Sequence, residues 1–260
     1  MLLKGKVAIV TGGGRGIGRA IALRFAAEGA AVVVSARGQA EIDGVVKEIQ
    51  NVGGRAAAVQ GDVSKESGAD NIVSGARKAF GSIHILVNNA GIYGPVKPVE
   101  KLTAAEWDEA LGINLRGPFL MSRAVLPEMY ERGSGAILNL TTIAAKIPFA
   151  LNGPYAASKA GLMGLTRTLA AEGAKRGVRV NAVSPGPVAE TKMWNELEQN
   201  LADNLQIDRE QMAKNVAAGI LQGRPQAVEE IAAAAVFLVS DQSSAITGQI
   251  LNVDGGMAFY

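Results

Sequence analysis

The stretch NLTTIAAKIPFALNGPYAASKAG, residues 139–161, holds two pairs of residues whose types and spacing suit chemistry. Tyr155 and Lys159 lie four apart after a Gly-Pro turn, so on a helix they share one face. A phenol with an ordinary pKa of about 10 gives up its proton reluctantly at neutral pH. An ammonium beside it stabilises the phenolate and makes it a working general acid or base. The same pair also occurs as a surface contact in which the lysine stem covers apolar helix and its head reaches water. Upstream, Thr141 and Thr142 are adjacent hydroxyls, and no serine stands between Ser134 and Ser158.

Composition narrows the alternatives. There is no cysteine, hence no disulfide framework and no thiolate nucleophile, and a single histidine, His84, makes a His-based metal site or a Ser-His-Asp triad hard to build. No metal is expected. With 26 basic against 24 acidic residues the net charge is +2, which lacks the basic excess of a nucleic-acid binder. No apolar run approaches the roughly 20 residues of a membrane span. The opening MLLKGKVAIV leads into strand-like sequence rather than a cleavable signal, so a soluble, cytoplasmic chain is expected.

The elements that must position the pair follow from hydrophobic rhythm. Seven β-branched runs, 7–11, 31–35, 56–60, 83–88, 136–141, 178–184 and 249–253, alternate with Ala-rich stretches of helical spacing such as 16–29, 64–80, 104–131 and 154–176. Strands with few charges, separated by helices, predict a parallel sheet buried on both faces. The expected fold is α/β, a Rossmann-like doubly wound seven-stranded sheet in a single domain, 1–260. Residues 189–223 break the rhythm as a long helical insertion beyond a strand end, where open sheets bind ligands; they are the candidate substrate lid.

After the first run comes TGGGRGIG, residues 11–18, opening a helical pattern. Glycines here let the backbone turn sharply and approach a pyrophosphate, and helix-start N–H groups favour its charge. Gly12, Arg15, Gly16, Ile17 and Gly18 are therefore candidate dinucleotide contacts. An acidic residue ending the second strand would accept from an adenosine ribose, but the chain reads Ser35-Ala36-Arg37. Arg37, with Arg15, suits a 2′-phosphate, so NADP(H) is favoured and NAD(H) remains possible. Both arginines could equally be solvated surface charges. Asp62 and Val63 could bracket an adenine, or Asp62 could cap the following helix in competition with Ser64.

Further motifs complete the series: NNAG at 88–91, IN at 113–114, YAASK at 155–159, SPGPV at 184–188 and TGQILNVDGGM at 247–257. In this order they resemble the short-chain dehydrogenase/reductase family over essentially the whole chain, most of all its 3-oxoacyl-(acyl carrier protein) reductases and related alcohol and polyol dehydrogenases. The resemblance implies that Tyr155 is the general acid/base, and that Lys159 lowers its pKa and holds the nicotinamide ribose. It implies that Asn114 holds a proton-relaying water; the residues themselves equally allow a helix-interior Asn bonding locally. Asn88, Ala90 and Gly91 would flank the cofactor, with Asn88 mainly bracing the sheet. Pro185, Gly186 and Val188 would shape the nicotinamide face, and Thr191 would contact the pyrophosphate. A homotetramer built on the helices at 104–131 and 154–176 and on the last helix and strand is also implied.

The family's usual serine falls at Thr142, thirteen residues before Tyr155. A threonine hydroxyl has the same hydrogen-bonding capacity, and its methyl narrows the space beside the reacting carbon. Thr141, on the opposite strand face, is the weaker candidate. The expected partner is a small-molecule ketone or alcohol, or an acyl thioester. Ile92, Tyr93, the 143–153 loop and Met193-Trp194 would bound its pocket, and Lys146 and Lys192 are the cations nearest to an anionic group. Alternatives are an NAD(H)-dependent polyol, acetoin-type or cyclic alcohol dehydrogenase, and a cofactor-binding sensor or scaffold with little catalysis.

Overall fold

A computed structural model describes residues 1–259; Tyr260, the last residue of the expected domain, lies outside them. Seven strands, β1 (Val7–Thr11), β2 (Ala31–Ala36), β3 (Arg55–Gln60), β4 (Ile85–Asn88), β5 (Gly135–Leu140), β6 (Val178–Pro185) and β7 (Ile250–Val253), form one sheet in the order β3-β2-β1-β4-β5-β6-β7. Every pairing is parallel. The chain winds outward from β1 to β3, then returns to β4 on the other side of β1. That reversal opens a crevice at the carboxyl ends of β1 and β4.

Strand alternation divides the core into two layers. Ala8, Val10, Val32, Val34, Val87 and Leu138 face a cluster with α1 (Gly16–Ala27), α2 (Gln39–Asn51) and α9 (Val228–Val239). Ile9, Val33, Leu86 and Ile137 face the opposite cluster with α3 (Glu66–Phe80), α5 (Gly117–Arg132) and α6 (Gly153–Gly173). The result is the expected doubly wound sheet, with helices on both faces.

The stretch 104–131, expected as one helix, is α4 (Ala104–Leu111), a π-type turn at Gly112–Arg116, and α5. Pro118 supplies the reason: it has no N–H to return to the carbonyl of Asn114, so the α-helical ladder is interrupted there. The widened turn carries Asn114. The insertion at 189–223 folds as α7 (Lys192–Leu205) and α8 (Arg209–Ala218). Gln206 turns the chain between them at φ 54° and Asp208 caps α8 by accepting from Gln211 N at 2.7 Å. Arg209 ties the two helices together through Glu198 at 2.8 Å and Asn195 at 3.1 Å. Among the described residues no helix is long and apolar enough to cross a membrane.

Candidate active site

Tyr155 and Lys159 lie on the first turns of α6 with both side chains buried, so they are not a surface pair. Thr142, just beyond the end of β5 and capping the short turn Ile143–Ala145, is also buried. Its hydroxyl accepts from Ala144 N at 3.2 Å, which leaves its own proton free to donate toward the Tyr155 oxygen. Thr141 faces the other way and donates to Val183 O at 2.9 Å, spending its hydroxyl on the sheet.

Burial pushes the Tyr155 phenol up to about 12, against the nearby Thr142 hydroxyl, which favours the phenolate. Burial likewise pushes the Lys159 ammonium down to about 8. The lysine does not point its charge at the phenol as the spacing alone suggests. Its Nζ donates to Leu140 O at 2.7 Å and sits 5.9 Å from the Tyr155 ring centroid. Helical spacing puts the two on one face, but the end of β5 competes for the ammonium.

Asn114 is fully buried and its amide is occupied three ways. Oδ1 accepts from Ile92 N at 2.9 Å, while Nδ2 donates to Ile92 O at 2.8 Å and to Ser158 Oγ at 3.0 Å. These bonds are not local to the helix; they clamp the loop after β4 to α6. Both amide hydrogens are spent, so the side chain has no donor left over for a relay. A Cβ on Gly91 would come within 3.1 Å of Asn114 Oδ1 and 3.4 Å of Lys159 Nζ, so glycine is what lets these elements meet.

A cleft of about 520 Å³ runs from this point along the crevice between β1 and β4. Gly12, Arg15, Gly16, Ile17, Gly18, Arg37, Asp62, Val63, Ala90, Gly91 and Thr191 all line it. Arg15 precedes α1 without capping it by side chain, and the first turn has no acidic residue, so its N–H groups are open to an anion. Thr191 caps α7, accepting from Trp194 N at 3.1 Å, and its methyl would lie 3.5 Å from a Cβ on Gly16. The Ser35 hydroxyl, at the end of β2 on the rim of the cleft, is buried without a partner. An orphaned hydroxyl beside a glycine loop with open N–H groups fits a dinucleotide.

Asp62 does not cap α3. Burial would raise its pKa, but two hydrogen bonds from Ser64, at 3.0 Å from N and 2.8 Å from Oγ, outweigh it, and Arg37 adds to the lowering. One carboxylate oxygen therefore stays available to the cleft. Asn88 lies off the cleft, bracing the sheet: its Nδ2 donates to Asn139 Oδ1 at 2.9 Å and Ser122 Oγ at 3.3 Å. Of the two neighbours it is Asn89 that lines the cleft; its Nδ2 donates to Thr11 O and Gly12 O and fixes the glycine loop. The doubled Asn in NNAG was the available signal, since neighbours at a strand end face opposite sides. Pro185, Gly186 and Val188 sit beyond the lining, Gly186 packed closely against Gln226 and Asp254.

Tyr93 lines the cleft and stacks on Tyr155. Lys146 does not reach outward for an anion; it donates to Asn252 Oδ1 at 2.6 Å. Lys192 lies 3.7 Å from Glu196. His84 is structural, accepting from Val7 N at 3.1 Å, with burial holding its pKa below the ordinary value. Among the described residues no group of His, Asp or Glu could hold a metal ion.

A doubly wound parallel sheet with a glycine-lined cleft, a buried tyrosine and lysine packed behind its Tyr93 and Gly91 end and a threonine hydroxyl beside that tyrosine fit an oxidoreductase acting on CH–OH and C=O groups. A family model described as "Enoyl-(Acyl carrier protein) reductase" matches residues 12–258. The chain belongs to the short-chain dehydrogenase/reductase family. It is 41% identical to 3beta-hydroxysteroid dehydrogenase 1 of Eggerthella lenta, covering 99% of this chain and 95% of that one. It is 36% identical to the 3-oxoacyl-[acyl-carrier-protein] reductase of Thermotoga maritima, covering 99% of each. The crystal structure of levodione reductase matches with a TM-score of 0.92 at 34% identity, over 98% of both chains.

Proposed function

We propose that this chain catalyses reversible hydride transfer between NADP(H) and a neutral ketone or secondary alcohol, with Tyr155 giving and taking the proton. The burial of Tyr155, Lys159 and Thr142 together beside the glycine-lined cleft carries this reading. When bound, the dinucleotide supplies or accepts the hydride. Tyr155 protonates the carbonyl oxygen in reduction and removes the hydroxyl proton in oxidation. Thr142 orients that oxygen through its free O–H. Lys159, held by the Leu140 carbonyl, keeps a positive charge near the phenol and within reach of a ribose. Asn114 positions the loop that carries Gly91 rather than touching substrate.

Supporting NADP(H) is Arg37, which has no ion pair among the described residues, next to the uncharged Ala36. A neutral substrate is supported by Lys146, whose ammonium is tied to Asn252 Oδ1 at 2.6 Å, and by Glu196 standing 3.7 Å from Lys192 on the exposed wall of the cleft. The names of the relatives, a hydroxysteroid dehydrogenase and an acyl carrier protein reductase among them, diverge too widely to choose a substrate. Residues 189–223 act as a lid: Thr191, Lys192, Met193, Glu196, Leu197 and Asn200 line the cleft from α7 and the turn before it. The chain works in the cytoplasm as a homotetramer, a reading supported by the exposed edge of β7, where Leu251 faces outward, and by Phe119 on α5. A stable monomer in light scattering would remove the tetramer.

A panel of ketones and alcohols run with NADPH and NADH in parallel tests the activity, with Tyr155→Phe as control. Turnover in the wild type should fall at least a hundredfold in that variant while nicotinamide fluorescence still reports binding. Binding without turnover of any substrate by the wild type would make the chain a sensor or scaffold instead.

A further inference from the structure

The acidic residue absent from the end of β2 in sequence is supplied from elsewhere in space. Glu41 stands in the first turn of α2, and the start of that helix is pressed against the glycine loop. A Cβ on Gly14 would come within 2.8 Å of the Glu41 Cβ, and one on Gly38 within 3.2 Å of Glu41 Oε2. The carboxylate thus overhangs the rim formed by Arg15, Ser35 and Arg37, and all four line the cleft. Arg15 Nη1 lies 3.3 Å from Glu41 Oε1, so one of the two cations that suit a phosphate is already engaged by an acid of this chain. A carboxylate at a helix start is favoured by the helix dipole alone. Here a second observation points to a ligand: the Ser35 hydroxyl on the same rim is buried with no partner.

We propose that Glu41 sets the choice between dinucleotides with and without a 2′-phosphate, by neutralising Arg15 and repelling a phosphate at Arg37, and by accepting from a bare ribose hydroxyl. The inference rests on the proposed function, in which the adenosine end of the cofactor lies on this rim. A phosphate arriving here must pull Arg15 off Glu41 and then sit near an acid. A ribose hydroxyl meets a ready acceptor. Glu41 therefore narrows the preference that Arg37 creates, leaving a chain that takes both cofactors with modest discrimination.

Calorimetry with adenosine 2′,5′-bisphosphate and adenosine 5′-monophosphate separates the terms without relying on turnover. Glu41→Gln keeps the size of the side chain and removes its charge. It should tighten the bisphosphate about five- to tenfold and leave the monophosphate unchanged or weaker. Glu41→Ala should change the ratio in the same direction. If neither variant moves the ratio of the two affinities while Arg37→Ala lowers it, the role of Glu41 is overturned and the cofactor reading stands. If Arg37→Ala leaves the ratio unmoved, the placement of the adenosine on this rim falls, and the inference falls with it.

Discussion

The ring of Tyr93 lies against the ring of Tyr155, centroids 4.6 Å apart and planes tilted by 31°. Tyr93 comes from the loop after β4, Tyr155 from the first turn of α6, and the contact leaves Tyr155 only 9% exposed. Such pairs contribute about 1 kcal/mol beyond the area they bury. Tyr93 also excludes water from the phenol, one source of its raised pKa. Tyr93→Phe should keep the kinetics within about twofold. Tyr93→Ala should raise KM severalfold and shift the rising limb of the pH–rate profile for alcohol oxidation to lower pH, since the phenol is then better solvated. Equal behaviour of the two variants in steady-state kinetics across pH would remove the stacking role.

Thr142 offers its hydroxyl proton toward Tyr155 while accepting from Ala144 N. Removing one preorganised donor to a developing oxyanion costs about a hundredfold or more in kcat. Thr142→Ala should show a loss of that order. Thr142→Ser keeps the donor and drops the methyl, so turnover of small ketones should persist and bulkier ketones should gain. Initial rates across a size series decide this; if both variants match the wild type, Thr142 has no part in the reaction.

Lys159 gives a stability prediction with a definite sign. In the unfolded chain it keeps its proton to about pH 10.5, whereas in the folded chain burial lowers the pKa to about 8. Between those values the unfolded state binds more protons, so wild-type stability contributed by this group rises with pH; below 8 both states are protonated and the full penalty stands. That penalty is on the order of 3 kcal/mol, offset in part by the bond to Leu140 O. Lys159→Met should be inactive yet roughly 1–2 kcal/mol more stable at pH 7. Urea denaturation at pH 7, 8, 9 and 10 should show the advantage shrinking above pH 8. An advantage that is constant across this range would contradict the buried charge.

Gly18 has no room for a side chain: a Cβ would stand 2.2 Å from Gly12 O and 2.4 Å from Asn89 Nδ2. Gly18→Ala must displace the loop, and its cost should be about 1–3 kcal/mol in stability with at least a tenfold loss of nucleotide affinity. Thermal melts and fluorescence titration with NADPH check both. Unchanged binding would mean that the glycine loop does not need the arrangement seen here.

Much of the frame was legible in the sequence because strand and helix periods differ. The runs at 7–11 and 31–35 reappear as β1 and β2 nearly residue for residue. The run at 83–88 is regular strand only from Ile85, although the His84 backbone already bonds to Val7 O and Ala136 N. The break at 112–116 was harder to see: a helical pattern continues through it, and only Pro118 marks the missing donor. Within the site, Tyr155, Lys159 and the glycine loop are readable because their partners are near in sequence or in a known order.

The sequence by itself determined the alternation that makes the sheet, the glycine turn before α1 and the helical spacing that puts Tyr155 and Lys159 on one face. These are local properties, set by backbone sterics and side-chain periodicity. The tertiary structure decided where the charges go: Lys159 to Leu140 O, Arg15 to Glu41, Lys146 to Asn252. Those partners are separated by 19, 26 and 106 residues. Hydrogen bonds and ion pairs act over a few ångströms, so only the winding of the sheet could choose them.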